Sequence, residues 1–283
     1  MAHRTVRFMQ GFVRRFSAAV ALALWAGAAM AAPPERVVSI NLCTDQLAML
    51  LADPGQLVSV SHLASDPLSS SMVVEAAKYP ENRGGAEQVF LLHPDLVLAG
   101  EYTPVETISL LQRLGVQVVQ VPVANATVGA ADLMRMVGAA MGHPERGNAM
   151  ADAFLADLAA LAVPGEKATA AMYFPQGYTT GDGTLSNEVL DLTGFRNVAV
   201  EAGLTGGGIL PLERLVMADP AMIVTSTPYP GASRAEEILV HPALAAVRAK
   251  AGEARTTDAD WVCGTPALLN AVRAMADARR GLQ

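Results

Sequence analysis

Two glutamates carry the clearest chemical signal in the sequence. Glu87 opens EQVFLLHP and Glu213 opens ERLVMADP, one Glu-x6-Pro frame met twice, 126 positions apart (213 − 87), each followed by a short apolar run, DLVL and AMIV. A carboxylate in the first turn of a helix is favoured by the macrodipole, and an exposed one accepts charge-assisted hydrogen bonds from arginine. One acid in each of two repeats would fix the orientation and the spacing of a basic partner together. Taken singly, each is an ordinary first-turn acid. The other reactive side chains are scattered. His62 follows an apolar run and is either a metal ligand or a hydrogen-bonded loop residue, while His93, His143 and His241 all precede proline, as residues at helix ends do. No His-x-His or His-Glu-x-x-His spacing is present, so no metal site is expected. Neither Gly-x-Ser-x-Gly nor Ser-x-x-Lys occurs, and Gly181-Asp182-Gly183 and Gly206-Gly207-Gly208 lack the Lys-Ser/Thr of a phosphate loop. Triads are defined by geometry, so an exported α/β hydrolase with an unrecognised triad stays as the alternative function. No catalytic residue and no cofactor are expected.

The elements that must position these groups alternate. RVVSINL (36–42), LVSVSH (57–62), DLVLAG (95–100) and VQVVQVP (116–122) read as strands, and QLAMLLA and TISLLQRL as helices, with Thr44-Asp45 as the N-cap of the first. From Gly129 to Ala162 only helix is read, broken at Gly142-His143-Pro144. Met150, Phe154, Leu158 and Leu161 then share one face of a rod of about 28 Å at 1.5 Å per residue. Alternation returns after Val163-Pro164-Gly165, with strands over 168–174 and 221–226 and helices over 186–193, 211–218, 239–249 and 265–280. The expected fold is α/β: two lobes, each a mostly parallel sheet flanked by helices, joined by a long rigid connecting helix. The expected boundaries are 32–128, 129–163 and 164–283, each lobe with its own core.

Residues 1–31 hold Arg4, Arg7, Arg14 and Arg15 and no acid, then an apolar stretch ending in Ala29-Met30-Ala31. They read as a signal peptide cut before Ala32, the stretch being short of the roughly 20 residues needed to span a bilayer. Its removal would take the net charge from −7 to 16 − 27 = −11, which disfavours nucleic acid as a partner. In an exported chain Cys43 and Cys263 are open to two readings, a disulfide or two separate buried thiols.

The opening RVVSINLCTDQLAMLL, the E-x6-PDLVL segment, the central helix and the second E-x6-P segment together give a chain that resembles the periplasmic binding proteins of ABC importers for cobalamin, ferric siderophores and haem. The likeness covers nearly the whole chain after residue 31. It implies a non-enzymatic, periplasmic monomer that captures a metal chelate between two lobes and delivers it to an ABC importer. It also implies that Glu87 and Glu213 dock arginines of the permease. The ligand would lie at the carboxyl ends of the strands. The candidates there are Asn41, Cys43, Thr44, Ser61, His62, Glu101, Tyr102 and Thr103, then Gln176, Tyr178, Thr179, Thr227, Tyr229 and Trp261. Few Lys or Arg fall at these strand ends, which favours a neutral or weakly charged ligand such as cobalamin over an anionic siderophore.

Overall fold

The computed structural model describes residues 32–226, 233–256 and 258–282. The signal-peptide reading of residues 1–31 lies outside them. From Pro34 onward the chain forms one compact unit. Its first half runs β1 (Val37–Ser39), α1 (Leu42–Leu51), β2 (Leu57–Ser61), α2 (Val73–Ala76), β3 (Glu81–Asn82), α3 (Ala86–Phe90), β4 (Leu96–Gly100), α4 (Val105–Arg113) and β5 (Gln117–Val121). Two helices follow, α5 (Thr127–Ala140) and α6 (Pro144–Leu161). The second half runs β6 (Ala168–Met172), β7 (Tyr178–Thr180), α7 (Leu185–Leu192), β8 (Phe195–Asn197), α8 (Val198–Glu201), β9 (Gly207–Ile209), α9 (Leu212–Ala218), β10 (Met222–Ser226), α10 (Pro242–Arg248), β11 (Gly252–Thr256), α11 (Asp258–Trp261) and α12 (Leu268–Arg280).

The strands form two sheets on one plan. The first has the order β3-β2-β1-β4-β5 and the second β11-β10-β6-β8, every pairing parallel, while β7 and β9 make a small antiparallel ribbon. Each sheet starts in its middle and winds outward both ways, so a crevice opens beyond the carboxyl ends of β1 and β4, and another beyond β6 and β10. Each Glu-x6-Pro frame leads into the strand on the far side of its crevice. Glu87 stands nine residues before the start of β4 (96 − 87) and Glu213 nine before β10 (222 − 213).

Residues alternate between the faces of each sheet, as a period of two demands. Val37, Leu96 and Leu98 face one apolar cluster, whereas Val38 and Val97 face another with Ala86, Val89, Leu111 and Val116. In the second sheet Ala170, Met172, Met222 and Val224 face inward, while Ala171, Tyr173 and Ile223 face an outer cluster with Leu215 and Leu244. Both inner faces join α1, α5, α6 and α12 in a single core. Each outer face has its own cluster, and the inner faces of the two sheets meet one cluster through the connector.

That connector is a pair of helices. α6 has 18 residues and spans about 27 Å. Pro144 opens it at a position where the missing N–H is no loss, and Gly142 closes the turn before it at φ 81°. Phe154 and Leu158 are buried, with Met150 and Leu161 packed beside them. α5 presses against α6 so closely that a Cβ on Gly138 would lie 2.7 Å from the Gly147 Cα.

Other boundaries moved for local reasons. The cap of α1 is Asn41, whose side chain accepts from the Cys43 N–H at 3.0 Å and the Thr44 N–H at 3.5 Å. The expected cap, Thr44-Asp45, is instead buried inside the first turn. The helix read over 239–249 is a 3-10 segment, Arg234–Val240, followed by α10, because Pro242 must occupy a first-turn position. Two- and three-residue strands (β3, β8, and the β7–β9 ribbon) and β11, with exposed Glu253 and Arg255, carry too little apolar periodicity to be read.

Candidate functional site

The carboxyl end of the second sheet opens into a cavity of about 550 Å³. Met172, Phe174 and Pro175 enter it from the end of β6, Ser226 from β10, Tyr178 and Thr180 from the ribbon, and Leu185 and Ser186 from the start of α7. Val123, Ala124 and Asn125, just after β5 of the first sheet, form the facing wall. Trp261 and Val262 complete it. Among the described residues the lining carries three aromatic rings and no charged side chain. Rings of this kind offer flat apolar area with a polar edge at Tyr178 and Trp261.

Two carboxylates outside the lining hold its first-sheet wall. Glu101, at the end of β4, accepts from the Val123 N–H at 2.9 Å. Glu188 of α7 accepts from the Thr127 N–H at 2.5 Å. That bond satisfies one of the free donors of α5, whose N-cap Ala126 has no side chain to do so. A residue of the second half thus caps a helix that starts beside the wall contributed by the first half.

A third tie comes from the C-terminal segment. Cys43, in the first turn of α1, is disulfide-bonded to Cys263, so the pairing left open in the sequence is formed. Thr265 Oγ1 donates to Gln46 Oε1 of α1 at 3.0 Å. Gly264 packs where a Cβ would come within 2.7 Å of the Ala124 Cβ and 3.0 Å of the Ala130 Cβ. Residues 263–265 are therefore seated on the first half of the chain, directly after the two residues that line the cavity.

Tyr178 and Trp261, of the residues expected at the site, line the cavity. Asn41 lies over the crevice of the first sheet, where Gly100 leaves room for it: a Cβ there would be 2.6 Å from Asn41 Nδ2. Cys43 is committed to the disulfide. Thr44 and Ser61 are corrected from ligand contacts to internal supports. Thr44 Oγ1 is hydrogen-bonded to Ser39 Oγ at 2.7 Å and donates to the Asn41 carbonyl at 2.9 Å. Ser61 donates to Asp45 through its N–H at 3.0 Å and its hydroxyl at 2.5 Å. Thr179 is buried as well. His62 and Tyr102 are exposed and outside the lining, and Gln176 stands in the left-handed region at φ 60°. Glu101 acts on the backbone of the wall. Thr227 and Tyr229 lie outside the described residues.

Sequence reasoning missed most of the lining. Val123–Asn125 follow a strand that was recognised, so the strand-end rule could have named them. Phe174 and Ser226 were likewise at hand, whereas Leu185 and Ser186 come from a helix start and no strand-end rule reaches them. Asp45 was missed as a buried acid: fully enclosed, its carboxyl is pushed up from 3.8 to about 6 by burial, against the pull of the Ser39 and Ser61 hydroxyls. Glu87 and Glu213 are both exposed, in the first turns of α3 and α9.

Comparison with known proteins bears on this geometry. A family model described as periplasmic binding protein matches residues 37–258. A cobalamin-binding protein of Halobacterium salinarum is 29% identical over 199 residues, covering 68% of this chain and 54% of the relative, so the chain spans about half that protein's length. Among solved structures, the periplasmic heme-binding protein RhuT from Roseiflexus sp. RS-1, in apo form, superposes with a TM-score of 0.70 at 22% identity, over 87% of this chain and 99% of that one. The periplasmic vitamin B12-binding protein BtuF of Vibrio cholerae gives 0.66 at 19% identity, over 89% and 98%. At these identities the structures attest the fold.

Proposed function

The chain belongs to the periplasmic binding protein family, and from that premise we propose that it captures a large, largely uncharged ring ligand of the corrinoid class in the periplasm and hands it to an ABC importer. Proteins of this family bind and do not catalyse, which sets aside the hydrolase alternative. The observation that carries the ligand class is the lining: Phe174, Tyr178 and Trp261 with small or apolar neighbours, and no Lys, Arg or His among the described residues. An anionic ferric catecholate, or the two propionates of haem, would lose hydration there with nothing opposite in charge among the described lining residues to replace it. A corrin ring can lay its face on the aromatic rings and turn its amide fringe to Asn125, Ser186 and Ser226. At about 550 Å³ the cavity grips part of such a molecule and leaves the rest toward solvent. The Halobacterium relative, a cobalamin-binding protein, points the same way.

Delivery rests on the two acids. Glu87 and Glu213 occupy equivalent places before β4 and β10, both exposed, and one carboxylate on each half suits a permease that must read both halves of the loaded protein. The deciding measurement is titration calorimetry with cyanocobalamin, hemin and a ferric catecholate. Cyanocobalamin should bind at least tenfold more tightly than either anionic chelate; the reverse order, or no binding of cyanocobalamin, overturns the assignment.

A further inference from the structure

We propose that the Cys43–Cys263 disulfide is a positioning element of the ligand cavity, holding the Trp261–Val262 wall against the first half of the chain, so that its reduction opens the wall and weakens ligand binding. The proposal rests on the reading of this cavity as the ligand site. Trp261 closes α11, a helix of four residues. A helix of that length does not form on its own in water, so its place is dictated by what anchors it. Cys263 stands two residues after Trp261 and one after Val262, and the cystine binds this segment covalently to the first turn of α1. Besides the cystine the segment keeps the Thr265–Gln46 hydrogen bond, the seat of Gly264 on Ala124 and Ala130, the Asn270 to Asp260 hydrogen bond at 3.1 Å and the packing of Trp261 against the inner core. The first two act on the far side of Cys263 from the wall.

The bond is also open to chemistry. Cys263 is 2% exposed, but Cys43 is only half-buried and Val262 beside it is 53% exposed. A thiolate can therefore approach the Cys43 sulfur, form a mixed disulfide there and release the Cys263 thiolate. With a dithiol as reductant the step balances: the second thiol displaces Cys43, two electrons and two protons reach the protein as two S–H groups, and the dithiol becomes its own cyclic disulfide. An oxidising exterior keeps the wall shut and a dithiol donor opens it.

The test uses the full chain with Trp25→Phe, so that Trp261 is the one remaining tryptophan of the two in the sequence. Oxidised protein, protein reduced with dithiothreitol and desalted without oxygen, reoxidised protein, and the double variant Cys43→Ser/Cys263→Ser are compared. The readouts are acrylamide quenching of Trp261 without ligand and titration with cyanocobalamin. Reduction should raise the quenching constant at least twofold and weaken cyanocobalamin at least tenfold, both reversed by reoxidation, with the far-UV circular dichroism unchanged. The double variant should match the reduced protein and ignore dithiothreitol. Unchanged quenching and affinity on reduction overturn the proposal, and so does their loss together with the dichroism signal, since the bond would then be a general staple. If cyanocobalamin fails to bind even the oxidised chain, the ligand reading falls, while Trp261 quenching still decides whether the disulfide holds the wall.

Discussion

Replacing Asp45 by Asn should remove a pH dependence of stability that the buried carboxyl imposes. Asp45 is completely enclosed beneath the first turn of α1, its oxygens taken by the Ser61 N–H and hydroxyl, and its pKa is pushed up to about 6 from 3.8. Between those two values the folded chain holds a proton that the unfolded chain has released. Stability attributable to this group is therefore greatest below pH 4 and is lost as pH rises through 6. The full swing is (6 − 3.8) × 1.36, or about 3 kcal/mol, of which about 2 kcal/mol falls between pH 4 and pH 7. Asparagine can keep both contacts, its carbonyl accepting from the Ser61 N–H and its amide donating to the Ser61 hydroxyl, with no charge to bury. Urea unfolding of both proteins at pH 4, 5, 6 and 7 gives the comparison. With a slope of about 3 kcal/mol per molar, the midpoint of the variant relative to the parent should rise by about 0.7 M from pH 4 to pH 7. The other carboxylates are common to both chains and cancel. Parallel profiles would refute the reasoning, for they would mean that ionising Asp45 costs the fold nothing.

Two further outcomes follow from other parts of the structure. Gly138→Ala places a methyl 2.7 Å from the Gly147 backbone, so α5 and α6 must separate, at a cost of about 1–3 kcal/mol; calorimetry should show a fall of several degrees in Tm, and an unchanged Tm would mean the helices are not in contact there. Glu87→Ala with Glu213→Ala should leave cyanocobalamin affinity unchanged while abolishing uptake by cells carrying the importer; weakened binding would put those acids at the ligand instead.

The strand–helix alternation was legible because parallel strands buried on both faces are continuous apolar runs and helices repeat at 3.6, signals that local chemistry writes directly. Leu96–Gly100 is buried throughout and was read almost to the residue. The duplicated acids were legible for a related reason: the offset of 126 that separates Glu87 from Glu213 also separates the starts of β4 and β10, so sequence position stood in for topological position. Edge strands such as β11, whose exposed Glu253 and Arg255 break the apolar pattern, were not.

The cavity was legible only where it coincided with a strand end. Tyr178 and Trp261 were found by type and place; Thr44 and Ser61 met the same rule but point into the sheet–helix interior, because a residue after a strand can turn either toward the crevice or under the capping helix. Residue types, periodicity and the repeated frame thus determined an α/β chain of two similarly wound halves with one acid displayed on each. Which side chains meet across those halves, with Glu188 capping α5, Cys43 bonded to Cys263 and Val123 facing Trp261, was decided by tertiary structure alone. Those contacts join residues far apart in the chain, and no local preference encodes the packing of the two halves about the connecting helices that brings them together.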